Sequence, residues 1–387
     1  MERRGTVKIS NVTSTVLRSY EYPRGGWVLV RVGTEARVEG IGECFVPDND
    51  GSAVFAAREI IERSLKRVVL GEDVLDIQCL WERMYGVCRG IYDRRGMAIH
   101  ALSGVDMAIH DAAAKTLGVP LCKLLGGCFR DRVRVYVSSI YVHPEEPEVA
   151  LESTRHYASQ GFTAIKYYGW PGFGAHLKRD ADLLERLGGA AGDEVEIMLD
   201  LGRPASLSQA LRIARMIEGS PTNIRWWEEP LSSSDDADGL AALSAHTDVS
   251  IAAGEAELTA YGFRDLLIKR AVDVLQPDLS WVGGPTEGRR IAELARLFNI
   301  PLVPHNWGTM VNFAASIHLV AAMPQGFLCE YPITARTPEA SLTRTPSPMM
   351  VALARKPVLV EKGYAIVPQE PGLGIELDEE AVREYTC

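Results

Sequence analysis

Short apolar runs rich in β-branched and aromatic residues recur between positions 163 and 332, and each closes on a polar residue before a stretch with helical spacing begins. The runs are TAIKYYG, VEIMLDLG, IRWWEEP, SIAAGEAE, VDVLQPDLS, IPLVPHNWG and GFLCEYP, with polar ends Lys166, Asp200, Glu228, Glu255, Asp278, His305 and Glu330. Successive ends are 34, 28, 27, 23, 27 and 25 residues apart, close to the roughly 30 that a strand, a helix and two loops consume. Strands alternating with helices predict a parallel sheet. Closed into a barrel, that sheet gathers the carboxyl ends of its strands on one rim, where this architecture places its active sites. A lysine, a histidine and several carboxylates scattered along the chain are therefore expected at one mouth.

The flanking segments read differently. Residues 8 to 46 alternate as strands, VTSTVLRS, then WVLVRV after the Gly25-Gly26 turn, then VEGIGECFV, which predicts an antiparallel meander. Helical spacing follows over 52–87 and 97–117; in the second stretch Ile99, Leu102, Val105, Met107, Ile109 and Ala112 favour one side, and Gly118 with Pro120 mark the stop. The first barrel strand is expected at VRVYVSSI, 133–140, beyond the Gly126-Gly127 break. After Glu330 the repeat fades, and the tail predicts two short strands and a terminal helix that return to the first module. The loops Arg18–Gly26 and Val46–Gly51 are either a lid over the barrel mouth or plain hairpin turns.

At 387 residues the chain accommodates a barrel of roughly 230 residues and a second module. Hydrophobic content of 47% with 24% charged residues fits a large buried core rather than disorder. The net charge of −10 argues against nucleic acid or an anionic membrane as partner, because either needs a basic face. Cysteines 44, 79, 88, 122, 128, 329 and 387 are odd in number and lack CxxC spacing, which argues against a disulfide framework and a zinc site. No signal-peptide core and no run of 18 apolar residues is found, so a soluble cytoplasmic protein is expected.

Asp200, Glu228 and Glu255 end three successive strands, and carboxylates that close repel one another unless a cation intervenes. An all-oxygen set favours a hard divalent ion, Mg²⁺ first and Mn²⁺ second. Asp278 and His305 end neighbouring strands, so the carboxylate is expected to fix the imidazole tautomer and make the other nitrogen a better base. The other seven histidines read as structural or exposed, with His143 least settled because it follows the first strand. Glu330 is either a protonated carboxyl group donating a hydrogen bond to a substrate oxygen or a buried salt-bridge partner. Lys166 is a general base or a cation for the acidic cluster, with the electrostatic role favoured.

The motifs IMLDLG, WWEEP, AAGE, QPDLSWVGG, VPHNWGT and LCEYP, with RRGMAIHALSGVDMAIHD before them and PGLGIELD after, resemble the enolase superfamily. The resemblance is closest to the mandelate racemase subgroup of its mandelate racemase/muconate lactonizing enzyme family. It implies an α/β fold, a (β/α)₇β modified TIM barrel over 129–355 with an α+β capping domain over 1–128, completed by about 356–387. It further implies that Asp200, Glu228 and Glu255 ligate Mg²⁺ with Glu229 in support, that Asp278 and His305 are the acid/base dyad, and that Glu330 and Lys166 engage the substrate's carboxylate. The shared chemistry is removal of the proton α to a carboxylate, giving an enediolate. Where the subgroup carries the second lysine of Lys-x-Lys, this chain has Tyr168, which serves as a second base only if its pKa is strongly lowered. One competent base favours dehydration of a sugar acid to a 2-keto-3-deoxy acid. The alternatives are a sugar-acid lactone cycloisomerase, a racemase or epimerase, or a barrel without catalysis that serves as a scaffold. Tyr141, Tyr168, Trp170, Arg203 and Trp307 are the expected rim residues, Trp307 as a substrate contact. The partner is a small carboxylate, and a homo-oligomer is the expected assembly.

Overall fold

The computed structural model describes residues 6–19, 25–47, 51–201, 206–233, 235–331 and 347–387. Arg203 and parts of both candidate lid loops, 20–24 and 48–50, lie outside the described residues.

Strands β1 (Ile9–Leu17), β2 (Gly26–Thr34) and β3 (Glu39–Val46) form an antiparallel meander. Helix Met97–Leu117 lies on β3 at backbone distance: a Cβ added at Gly42 would come within 2.3 Å of the Gly104 carbonyl oxygen. The sequence predicts one apolar side for this helix, whereas almost every residue from Ala98 to Ala114 is buried. The far side is covered by barrel helix Gly284–Phe298, so the helix is a layer between two modules rather than a surface helix. The expected helix over 52–87 is broken into Ala53–Ile60, a π-turn at Ile61–Leu65, Lys66–Val69 and Ile77–Gly90.

The barrel runs through β4 (Arg132–Tyr141), β5 (Ala164–Tyr168), β6 (Glu196–Asp200), β7 (Ile224–Glu228), β8 (Ile251–Ala253) and β9 (Val274–Leu275), paired in parallel in that order. The seventh strand position is short, held by the bridges Leu275 to Leu302 and Asp278 to His305. Strand β10 (Cys329–Tyr331) pairs in parallel with β4, so first and last strands meet. Seven helices connect the eight positions, from Pro147–Ser159 to Met310–Ala321, which is the (β/α)₇β pattern.

The tail divides its pairing. Tyr364–Ile366 adds antiparallel to Arg132–Arg134 of β4, on the barrel, while helix Glu379–Tyr385 returns to the meander, where Arg18 N–H donates to the Tyr385 carbonyl at 2.9 Å and Arg31 pairs with Glu379 at 2.8 Å. One pair of cysteines is bonded. Cys122 and Cys128 are disulfide-bonded, with Cα atoms 5.4 Å apart, because the chain reverses between them through Gly126 and Gly127, both at positive φ. The bond closes a local connector and is not a framework. No helix among the described residues is long and apolar enough to cross a membrane.

Candidate active site

Tyr136, Ala164, Met198, Trp226, Ala252, Val274, Val303 and Leu328 form a separate buried cluster, one residue from each barrel strand. Side chains alternate along a strand, so the residue two positions further on faces the same interior, one layer nearer the rim. Those residues are Ser138, Lys166, Asp200, Glu228, Gly254, Gln276, His305 and Glu330. An apolar plug thus carries a polar ring, and Glu255 follows one residue beyond the ring. Register sets the neighbours: Asp200 stands beside Glu228, Asp278 beside His305, and Glu330 beside Tyr136.

Asp200, Glu228 and Glu255 place one carboxylate oxygen each within 4.8 Å of the others. Burial, and then the charge of Glu228, push the Asp200 carboxyl well above the carboxylate range. An acidic group this crowded favours an added cation, and its all-oxygen donors suit Mg²⁺. The cluster opens on one side. The Glu228 side chain is 1% exposed, whereas Asp200 and Glu255 keep 13% and 20%, facing the mouth. Glu228 Oε2 accepts from Trp226 Nε1 at 3.1 Å and Gln276 Nε2 at 2.7 Å, which fixes that carboxylate's plane. Glu229, at φ 44°, turns back to accept the Gly254 N–H at 3.0 Å and so ties the end of β7 to the residue before Glu255.

Lys166 Nζ lies 2.5 Å from Glu228, 2.9 Å from Glu330 and 3.7 Å from Asp200. Burial opposes its charge, but Glu228, Glu330, Tyr136 and Asp200 raise its pKa well above the usual lysine value, so it is an ammonium ion and not a free base. Burial raises the Glu330 pKa, yet Lys166 and His305 more than offset this and hold the carboxyl below its ordinary value. As a carboxylate it accepts from Lys166 and, at 2.8 Å, from the Asn306 N–H.

His305 Nδ1 lies 2.8 Å from Asp278 Oδ2, and its Nε2 points at the acid cluster, 3.4 Å from Glu255. Burial lowers the imidazole pKa, but Glu255, Glu330 and Asp278 together raise it to about 10. Trp281 flanks the ring at 5.4 Å between centroids. Around the mouth Tyr141, Tyr168 and Trp307 form a row, with centroid spacings of 6.3 and 6.2 Å. Tyr168 is 39% exposed, and its Cα is in register with Asp200. Trp170 instead packs on Phe173 and, with Tyr141, lines a side cavity of about 430 Å³ that none of the acid cluster or the dyad lines.

The chain matches the mandelate racemase/muconate lactonizing enzyme N-terminal domain over residues 17–126 and the enolase C-terminal domain-like model over 148–381. It belongs to the mandelate racemase/muconate lactonizing enzyme family. A D-galactarolactone cycloisomerase from Agrobacterium fabrum is 31% identical over 95% of this chain and 93% of its own length. A D-xylonate dehydratase from Haloferax volcanii is 31% identical over 99% of this chain and 90% of its own. The crystal structure of a racemase from Streptomyces coelicolor with bound magnesium superimposes with a TM-score of 0.84 at 25% identity, covering 98% of this chain and all of that one.

Within this enolase-superfamily frame the barrel gathers Lys166, Asp200, Glu228, Glu255, Asp278, His305 and Glu330, and sets Tyr168 and Trp307 on the rim. Of the other histidines, His110 and His318 are buried, and His143, His156, His176 and His246 are exposed. Sequence reasoning passed over Gln276, Ser138, Asn306 and Asn312. Gln276 carried a usable signal, since it lies two positions before Asp278 on one strand face.

Proposed function

We propose that the chain is a Mg²⁺-dependent sugar-acid dehydratase, with a capping domain at 1–128 and about 356–387 and a catalytic barrel at 129–355. The observation that carries the reading is the Asp278–His305 pair, whose Nε2 faces the acid cluster, combined with a tyrosine where a second lysine base would stand. Asp200, Glu228 and Glu255 hold the metal, and Mn²⁺ is a substitute. When bound, the metal acts as a Lewis acid on the substrate's carboxylate and so acidifies the α-carbon.

The chain's own residues handle the protons. Glu255, the first of the acids that raise the His305 pKa, is one a cation would neutralise, which would leave Nε2 unprotonated. His305 Nε2 then takes the α-proton, the C–H electron pair becomes the new C=C bond, and the β C–O bond breaks. The proton on His305 leaves with the β-hydroxyl as water, and the resulting enol tautomerises to the 2-keto-3-deoxy acid. Asp278 holds Nδ1–H throughout and keeps Nε2 oriented. The Lys166 ammonium offsets charge on the bound carboxylate. A substrate carboxylate arriving beside the Glu330 carboxylate raises the proton affinity of the pair, so that one proton is taken up from solvent on binding, and the protonated Glu330 then serves as the hydrogen-bond donor. Trp307 and Tyr168 supply apolar contact to the carbon chain. A library of C4 to C6 aldonates and aldarates assayed for 2-keto-3-deoxy acids with Mg²⁺ tests the reading; no product from any member would overturn it.

The second reading, a lactone cycloisomerase, draws support from the aromatic row Tyr141, Tyr168 and Trp307, a surface suited to the face of a sugar ring, and from the named cycloisomerase relative. Its product keeps the mass of the substrate, so mass spectrometry separates it from loss of water. A racemase or epimerase would instead exchange α-deuterium from D₂O with inversion. Residence in the cytoplasm and a homo-oligomeric assembly belong to the same proposal.

A further inference from the structure

Asp278 is fully buried and held at both oxygens. Oδ1 accepts from the Ser280 N–H at 2.8 Å, the Ser280 hydroxyl at 2.6 Å and the Asn312 side-chain amide at 3.0 Å, while Oδ2 faces His305 and the Trp307 N–H at 3.3 Å. Asn312 lies in the first turn of helix Met310–Ala321. Its amide also donates to Asn306 Oδ1 at 2.9 Å, and the Asn306 N–H reaches Glu330. One buried amide therefore joins the carboxylate behind the base to the loop that anchors Glu330.

That first turn is gripped from the other module. Glu43, on β3 and 1% exposed, accepts from the Thr309 N–H at 2.7 Å, the Thr309 hydroxyl at 2.5 Å and the Asn312 N–H at 3.2 Å. The helix already has a cap of its own, because the Thr309 hydroxyl accepts from the Val311 N–H at 3.1 Å. Burying a further carboxylate is costly, and simple helix capping does not require it. What Glu43 adds is a fixed position for the backbone at Asn312.

We propose that Glu43 and Asn312 are positioning residues for the dyad: the capping domain's carboxylate sets the helix turn, the turn sets the Asn312 amide, and the amide orients Asp278 against His305. The inference rests on the dyad reading above. It makes the docked cap a part of the base's geometry. Asp111 is the natural control. It too is a fully buried carboxylate with three donors, the N–H groups of Ile41 and Leu373 and the Lys115 ammonium, and it touches neither the helix turn nor the dyad.

The test is proton NMR of the hydrogen-bonded His305 Nδ1–H in the resting full-length protein, identified by its loss in His305→Asn, alongside kinetics. In Glu43→Gln and Asn312→Ser the resonance exchanges with water at least about tenfold faster than in wild type, and in Asp111→Asn it is unchanged. Turnover falls about 10- to 100-fold with KM within about threefold, as for other groups that orient a catalytic side chain. The double variant loses no more than about twice the worse single, because both act through one contact. Losses that multiply, a defect confined to KM, or an unchanged Nδ1–H signal in Asn312→Ser would each overturn the proposal. Should Glu43→Gln fail to fold, Asn312→Ser decides alone. The NMR arm needs no substrate, so failure of the dehydratase reading shows only in the substrate library and leaves this result standing.

Discussion

At residue 168 a phenol stands on the rim beside an aromatic neighbour on either side, 39% exposed and in register with a candidate metal ligand. If it packs against substrate and does not take protons, Tyr168→Phe keeps turnover within about threefold and leaves the pH profile unshifted, whereas His305→Asn loses about 10²- to 10⁴-fold. Steady-state rates across pH check both. A collapse of rate in Tyr168→Phe would restore the two-base reading. Lys166, Asp200, Glu228, Asp278, His305 and Glu330 were legible because each stands at or near the end of a short apolar run that, repeated with helical stretches between, reads as a buried strand. Glu43 was not legible. It sits in a strand of ordinary alternation, and its partners at Thr309 and Asn312 come from another module, more than 260 positions away. The charge state of Glu330 was equally out of reach, since it depends on Lys166 and His305 arriving beside it.

Elements meet through close contacts that spacing alone did not announce. Helix Met97–Leu117 touches β3 at Gly42, so Gly42→Ala should cost about 1 to 3 kcal/mol in urea unfolding through overpacking. Helix Met310–Ala321 carries His318, which accepts the Cys122 N–H and donates to the Leu373 carbonyl, joining connector and tail. Burial pushes this imidazole down to about 4, against a smaller opposing effect of the Leu373 carbonyl. The folded chain therefore binds fewer protons here than the unfolded chain, whose imidazole titrates near 6.5. Stability from this site is complete above about pH 6.5 and is lost as pH falls toward 4, by up to about 3 kcal/mol. Urea midpoints compared between about pH 4.5 and 7 should fall less steeply in His318→Gln than in wild type; equal slopes would show that His318 is not the buried neutral group.

For the whole molecule, a cation held by the acid cluster would couple metal to stability. EDTA should abolish turnover and lower the thermal midpoint, and Mg²⁺ should restore both, with about 2.7 kcal/mol of added stability at a hundredfold excess over Kd. Asp200→Ala should show no calorimetric Mg²⁺ binding and no thermal response; a normal response would place the metal elsewhere. The chain by itself determined the βα repeat, the strand ends that carry chemistry and the family, because strand periodicity and segment length are local properties written in consecutive residues. Only the tertiary structure decided how closely the three carboxylates approach one another, which acids Lys166 pairs with, that the central cap helix is covered on both faces, and that a cap residue supports the turn behind Asp278. Those outcomes depend on distance, burial and register between segments far apart in sequence, and such quantities exist only once the barrel has closed and the cap has docked.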